Sequence, residues 1–534
     1  MLSSDEAPYS GAGVNHVTLL LPVLLLIIAA IVIWLTRARA IRTQWGLSAA
    51  MAIVIWIVCL SLRLGPDLHY QLSVWQPIEI FSTPLSLSLD SISWPILYAL
   101  VTVLVAMIFT AASRQMATAT SVRIFWFIYS ASAVLAILAD NLLTVLITWT
   151  LFDFISAIFL FTFLRSEDEI RQVLTRLSID LLGTLLILGG SAVSIAAGFG
   201  VNLTDPLHAP LSVFLLALGS FVRLGLLPLH FNLPALLALR RGFGTLLRLF
   251  PPAIVLSFLA RLFMAGIPDQ TLPWFMIAGV SGSLIGGLRW MLESETIVGR
   301  PYFILAMSGV GVLAGAMLPQ EYSGIVSACV VLLLAGAVLS LTVVHTPSQR
   351  VLSLGAVLVL LGIPGLPASV LTMAASQNII MLGLGLVWAL ILIVAMSMVA
   401  LGCLHLYFAE ETPWQSSESL VRITYSLGLS LPVFTSIGIG LQLRPEIGLW
   451  TWILLALQIV LVAIGYLVLR KLPEGSIGRF RFNLSRLDPT RFYVRMGKAL
   501  DVLSRAIQSI AGLIEGEAAL LWIFAIVAFL LLAS

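Results

Sequence analysis

Long apolar runs follow one another down the whole chain, each ended by a short stretch holding arginine, proline or a carboxylate. Sixteen of them have the length, roughly 17–25 residues, that a helix needs to cross about 30 Å of hydrocarbon. They lie near residues 14–36, 44–64, 91–112, 122–139, 141–164, 172–198, 211–239, 249–265, 272–291, 301–318, 323–344, 350–376, 379–406, 420–441, 448–470 and 516–533. The segments of alternating polar and apolar residues that a β-barrel requires are absent, and in lipid only helices or closed barrels satisfy their own backbone groups. The pattern therefore predicts an all-α polytopic membrane protein with about 16 transmembrane helices.

Two spans carry breakers in their interior: Pro228 and Pro234 in the seventh, and Pro364, Gly365 and Pro367 in the twelfth. A proline removes a backbone donor and clashes with the preceding turn, so each cluster predicts a broken helix. The breaks lie five spans apart, and an odd offset inverts orientation, so they fit corresponding positions of two inverted five-helix repeats. The alternative is a pair of ordinary proline kinks. The expected organisation is residues 1–112 (spans 1–3), 113–265 (first repeat, spans 4–8), 266–410 (second repeat, spans 9–13), 411–470 (spans 14–15), 471–515 and 516–534 (the last span). In the segment 471–515, Arg479, Arg481, Arg486, Arg491, Arg495, Lys498 and Arg505 stand among apolar residues. Leu500, Leu503, Ile507, Ile510 and Leu513 fit one face of an amphipathic cytoplasmic surface helix before the last span.

Composition removes the soluble alternative: 60% of the 534 residues are hydrophobic and 10% are charged, against about 45–50% and 25% in an ordinary soluble domain. The lipid bilayer is the implied solvent, and nothing points to nucleic acid. Arg37, Arg39 and Arg42 follow span one, Arg114 and Arg123 follow span three, and Arg165 and Arg171 follow span five. Those loops are expected in the cytoplasm, with both termini outside and Arg63, Arg261 and Arg444 as outward exceptions. The acidic amino end, with Asp5 and Glu6, suggests an uncleaved first span in a chain beginning near Met1. Cys59, Cys329 and Cys403 lie in apolar runs without CxxC spacing and read as small core residues. No dinucleotide fingerprint, P-loop or metal-ligand cluster is present, so no cofactor is expected in this chain and it is not an obvious enzyme on its own.

The stretch Arg223-Leu-Gly-Leu-Leu-Pro228-Leu-His230-Phe-Asn-Leu-Pro234 resembles the broken seventh helix of the antiporter-like membrane subunits of respiratory complex I, membrane-bound hydrogenases and Mrp-type cation/proton antiporters. There a lysine precedes Pro-x-His and Leu-Pro. Leu89-Asp90-Ser91-Ile92-Ser93, Leu146-Ile-Thr-Trp149, Thr175-Arg176 and Gly362-Ile-Pro-Gly-Leu-Pro367 agree in order, and the likeness covers roughly residues 80–410. The resemblance implies two inverted repeats and a midplane row of buried charges. In that row a glutamate on span five pairs with a lysine on span seven, and further lysines on spans eight and eleven or twelve continue it.

This chain holds only two lysines, Lys471 and Lys498, neither in a span. Where the resemblance implies glutamate after Trp149 the chain has Thr150, with Asp153 one turn later; where it implies the span-seven lysine it has Arg223. Arginine biases a field but does not release its proton. Burying either charge alone costs several kcal/mol, so Asp153 and Arg223 are expected to form a standing ion pair. The alternative is that Arg223 snorkels or caps a broken helix. Span eight is expected to be bare of charge before Arg261, and spans eleven and twelve offer no Lys or Glu along the path. His230 reads either as a proton shuttle or as a histidine bonded to a freed carbonyl. Asp180 fits an i,i+4 pair with Arg176. Asp90 reads as the cap of the third helix, and Asp140 and Glu321 as solvated residues at outer span ends.

Three functions fit. The first is a membrane subunit of a complex I-like assembly (NADH:quinone oxidoreductase, hydrogenase or Mrp-type), moving protons or cations while partner subunits carry the redox chemistry. The second is a non-pumping scaffold that keeps the fold and docks against other membrane subunits of a multisubunit complex. The third is a stand-alone secondary transporter.

Overall fold

The computed structural model describes residues 12–72, 84–113, 119–163, 167–203, 209–227, 229, 242–293, 296–318, 321–343, 347–380, 384–404, 418–443, 448–471 and 505. Residues 1–474 form one compact unit, and in the second, residues 475–534, only Arg505, a helical residue, is described. Among the described residues are sixteen α-helices. The first half holds α1 (Ala12–Leu35), α2 (Ile41–Ser61), α3 (Ser93–Ala111), α4 (Thr120–Leu138), α5 (Leu142–Phe163), α6 (Glu167–Ala196), α7 (Pro210–Leu224) and α8 (Phe243–Ala265). The second holds α9 (Leu272–Leu292), α10 (Thr296–Met317), α11 (Ser323–Leu341), α12 (Pro347–Leu360), α13 (Ala368–Ile380), α14 (Leu384–Cys403), α15 (Ser419–Leu443) and α16 (Leu449–Lys471). Thirteen of the described helices are long and apolar enough to cross a bilayer; α7, α12 and α13 are shorter.

These helices account for the first fifteen predicted spans, because α12 and α13 are the two halves of the twelfth. The sixteenth span and the helix expected around Leu500 lie outside the described residues, as do Pro228, His230 and Pro234. Between α2 and α3 a short antiparallel hairpin, β1 (Leu68–Gln71) with β2 (Ser86–Leu89), pairs Leu68 with Leu89 and Gln71 with Ser86. It touches the start of α5 through the bridge Leu87↔Ala139 and an Asp140 N–H bond to Ser86 O of 3.1 Å. This side of the bundle is called the hairpin end below.

The packing separates a protein-facing centre from an apolar rim. α3 and α11 bury nearly every side chain, whereas Ile31, Ile57, Phe154, Leu181, Phe434 and Ile464 stand exposed on α1, α2, α5, α6, α15 and α16. Such a surface is stable only against hydrocarbon or another apolar protein face. Helices in lipid approach closely where residues are small: a Cβ added to Gly309 on α10 would lie 2.3 Å from Ser283 N on α9. Cys59, Cys329 and Cys403 are buried thiols, as their apolar surroundings suggest.

The twelfth span is broken where its sequence predicts. α12 stops at Leu360, Gly365 takes φ +88°, and α13 restarts at Ala368. The backbone groups freed by the break find side-chain partners. Gln458, fully buried on α16, accepts the Gly362 N–H through Oε1 (3.1 Å) and donates from Nε2 to Leu360 O (3.2 Å). Ser327 on α11 donates its hydroxyl to Pro367 O. The first helix of the seventh span stops before Pro228. α7 ends at Leu224, Gly225 adopts φ +74°, and the Leu226 N–H closes the turn on Phe221 O at 2.9 Å, a left-handed glycine stop.

Candidate functional site: a buried row of charges

Asp153 lies midway along α5 and Arg223 in the last turn of α7, and the two meet. Arg223 Nη1 and Nη2 each donate to one oxygen of Asp153 at 2.8 Å. The same Nη1 reaches Thr184 Oγ1 (2.8 Å) and Asp180 O (3.0 Å) on α6. Its guanidinium carbon lies 4.6 Å from the ring centre of Trp149, one turn before Asp153 on α5, which adds a cation–π contact. Thr150, standing at the position of the implied glutamate, is exposed and bonds Leu146 O of its own helix. The carboxylate that meets the seventh span is therefore Asp153.

The row continues on α6, where Arg176 Nε is 3.3 Å from Asp180 Oδ2, the i,i+4 pair expected from the sequence. Arg176, Asp180 and Arg223 are buried and Asp153 is 20% exposed at its side chain, so basic and acidic side chains alternate as Arg176, Asp180, Arg223, Asp153, an arrangement that offsets the cost of burial. Close approach of α6 and α7 makes room for the arginine stem: a Cβ on Gly183 would lie 2.5 Å from Arg223 Cγ and 2.9 Å from Gly219 O.

Two expectations about charge fail. Span eight is not bare before Arg261: α8 begins at Phe243, earlier than its hydropathy suggests, and buries Arg248. Arg123, read as a loop cation, lies in the first turn of α4, and Arg300 near the start of α10; both are buried and donate to Gln44 Oε1 (2.9 Å) and Ser340 O (3.0 Å) respectively. Long side chains let cationic helix ends stay buried when an acceptor is within reach.

A second ion cluster lies at the hairpin end. Arg261 of α8, 1% exposed at its side chain, lies 3.0 Å from both Asp90 Oδ2 and Asp140 Oδ1. Asp140 is therefore paired and mostly buried, not solvated, and its other oxygen is 3.8 Å from His69 Nδ1 on β1. Asp90 also caps α3 as expected, its Oδ1 accepting the N–H groups of Ile92 (3.0 Å) and Ser93 (2.9 Å). Burial opposes ionisation of Asp90, but the Arg261 charge and the hydrogen bonds from Ser93 outweigh it and hold the carboxyl below its ordinary value of 3.8. Beside it a pocket of about 380 Å³ is lined by Arg63, Asp90, Trp94, Tyr322, Gln442 and the exposed Glu321.

No family model matches this sequence, and no curated protein matches it. Solved structures do match the fold. A chain of the Mrp complex from Dietzia sp. DQ12-45-1b superposes with a TM-score of 0.61 at 14% identity, covering 85% of this chain and 98% of that one. A chain of respiratory complex I from Thermus thermophilus with bound aureothin gives 0.60 at 16% identity, over 79% and 97%. A chain of the membrane-bound sulfane sulfur reductase, an archaeal respiratory membrane complex, gives 0.63 at 17% identity, over 97% and 100%. The chain thus has the fold of the antiporter-like membrane subunits that its motifs resemble, and it is an integral multi-pass membrane protein.

Proposed function

We propose that this chain is a membrane subunit of a complex I-like or Mrp-type assembly and that it moves a proton or a small cation through the Asp153–Arg223 site, driven by chemistry in partner subunits. The carrying observation is the bidentate pair itself, two opposite charges held in a helical interior where ionisable residues are costly. Arg223 keeps its charge at any working pH, so Asp153 is the group that takes the ion. When it does, Arg223 loses that partner and is drawn toward Asp180, whose carbonyl it already contacts. The fixed cation swings and the carboxylates exchange.

In this reading the arginine-bearing loops face the cytoplasm, the hairpin end and both termini face outward, and α7 and α12–α13 are the broken members of two inverted repeats. The test is flux in vesicles carrying the assembled complex. Asp153→Asn and Arg223→Met are expected to lower ion flux at least tenfold with assembly intact; unchanged flux in both would refute the proposal. A scaffold role is the second reading, favoured by α11, α13 and α14, which carry no charged residue, and by the Gln458 side chain that occupies the break in the twelfth span. It expects normal partner assembly and unchanged flux in those same variants.

A further inference from the structure

The ion site has no charged continuation into α11, α13 or α14. At the broken twelfth span Gln458 is taken up by Gly362 and Leu360, Ser327 by Pro367, and Asn378 donates to Met317 and Ala374, which leaves Gln377 Oε1 as the buried polar atom without a partner among the described residues of α13. A different series of polar groups leads away from Asp153, toward the hairpin end. Asn141, just before α5, and Thr144 and Thr148 on it follow one another at helical spacing and are buried. Thr144 Oγ1 donates to Asn141 Oδ1 (2.7 Å) and accepts the Ser86 N–H (2.9 Å), while Thr148 Oγ1 donates to Thr144 O (2.7 Å), which leaves one lone pair on Thr144 and two on Thr148 to accept from water. Trp149 Nε1, beside Arg223, is buried with no hydrogen-bond partner in the protein. Its ring meets Phe258 of α8 edge-on at 5.4 Å. The residue before it, Ser257, has a buried hydroxyl that is likewise unpartnered, and it sits one turn from Arg261, whose Nε and Nη2 are also unpartnered. Buried donors of this kind are ordinarily met by ordered water. Asp140 and Asp90 close the series, and Asp90 opens on the pocket.

We propose that the transported ion is a proton that passes between Asp153 and the solution at the hairpin end along α5, inside the first half of the molecule, with Asp140 and Asp90 as the exchange site. Asp153 lies eleven residues along α5 from Leu142, about 16 Å at the helical rise, with Asp140 just before the helix, a distance that several water molecules bridge. The proton on the Asp153 carboxyl passes to water held by Trp149, Thr148 and Ser257. It arrives on the Asp140 carboxylate, which Arg261 shares with Asp90, and is released as hydronium into the pocket. Asp153, again a carboxylate, re-forms its two bonds with Arg223. This route rests on the proposed function and differs from it in where the ion goes.

The test uses sealed vesicles carrying the assembled complex. Asp140→Asn and Thr148→Val are expected to cut proton flux at least tenfold, as Asp153→Asn does, while Asn378→Leu leaves it unchanged. Separately, Thr148→Cys is expected to react with a small charged methanethiosulfonate reagent added at the hairpin side, a reaction the buried native cysteines do not give. The route is overturned if Asp140→Asn and Thr148→Val keep full flux while Asp153→Asn abolishes it, or if the cysteine at position 148 is protected from that side. Full flux in Asp153→Asn as well overturns the proposed function and the route with it.

Discussion

Arg223 and Asp153 are joined by two parallel hydrogen bonds of 2.8 Å between helices whose sequence positions differ by 70. The geometry is the fork-to-fork arrangement that makes guanidinium–carboxylate pairs strong and specific. Removing one partner leaves the other charge buried.

Asp153→Asn and Arg223→Met are therefore each expected to destabilise the protein by about 3–5 kcal/mol. The double variant is expected to be less destabilised than the sum of the two, since it removes both charges together. Denaturant unfolding in mixed micelles, read as a double-mutant cycle, measures the difference; additive losses would contradict a mutually dependent pair.

Gly183→Ala is expected to lower stability by about 1–3 kcal/mol and to weaken the pair. The new methyl group meets the Arg223 stem and, at 2.9 Å, the Gly219 carbonyl, which is backbone and cannot turn aside. A Tm equal to that of the unaltered protein would show that α6 and α7 separate freely.

Gln458→Leu leaves the Gly362 N–H and the Leu360 carbonyl without their present partner. Each unsatisfied buried group costs about 1–3 kcal/mol, so a loss of that order or twice it is expected, with faster amide exchange confined to the break.

Acid behaviour follows from Asp90. Its carboxyl is held below 3.8 in the folded protein, so the ionised form adds stability that is present above about pH 4, the range where the unfolded carboxyl is ionised. That stability is lost as the pH falls through the lower folded value. Asp90→Asn is expected to be less stable than the unaltered protein at pH 7 and to lose less between pH 4 and pH 2. Parallel acid unfolding curves for the two proteins would contradict this.

The elements legible in the sequence were those fixed by local physics. Hydropathy placed the spans that α1–α16 occupy, Pro364 and Pro367 placed the break between α12 and α13, and Asp90 announced a cap. The Asp153–Arg223 pair was legible because one carboxylate and one cation in two apolar spans leave each other as the natural solution. What escaped depends on contacts distant in sequence. Arg261 reaches Asp90 and Asp140 across 171 and 121 residues, and nothing near any of the three announces the cluster. Arg248 escaped because a hydropathy window ends where a charge begins, although the helix does not. Gln458 did leave a signal: a lone amide inside an apolar span is costly unless something bonds it on both sides.

The Gln458 contact also bears on how the chain is made. Its partners Gly362 and Leu360 precede it by 96 and 98 residues, so during synthesis the broken span reaches the membrane well before the residue that completes it. Until α16 is inserted, those backbone groups must borrow partners from water, from the insertion machinery or from one another. A truncation before α16 would leave the bundle with an open seam in its interior, two backbone groups without the side chain that completes them.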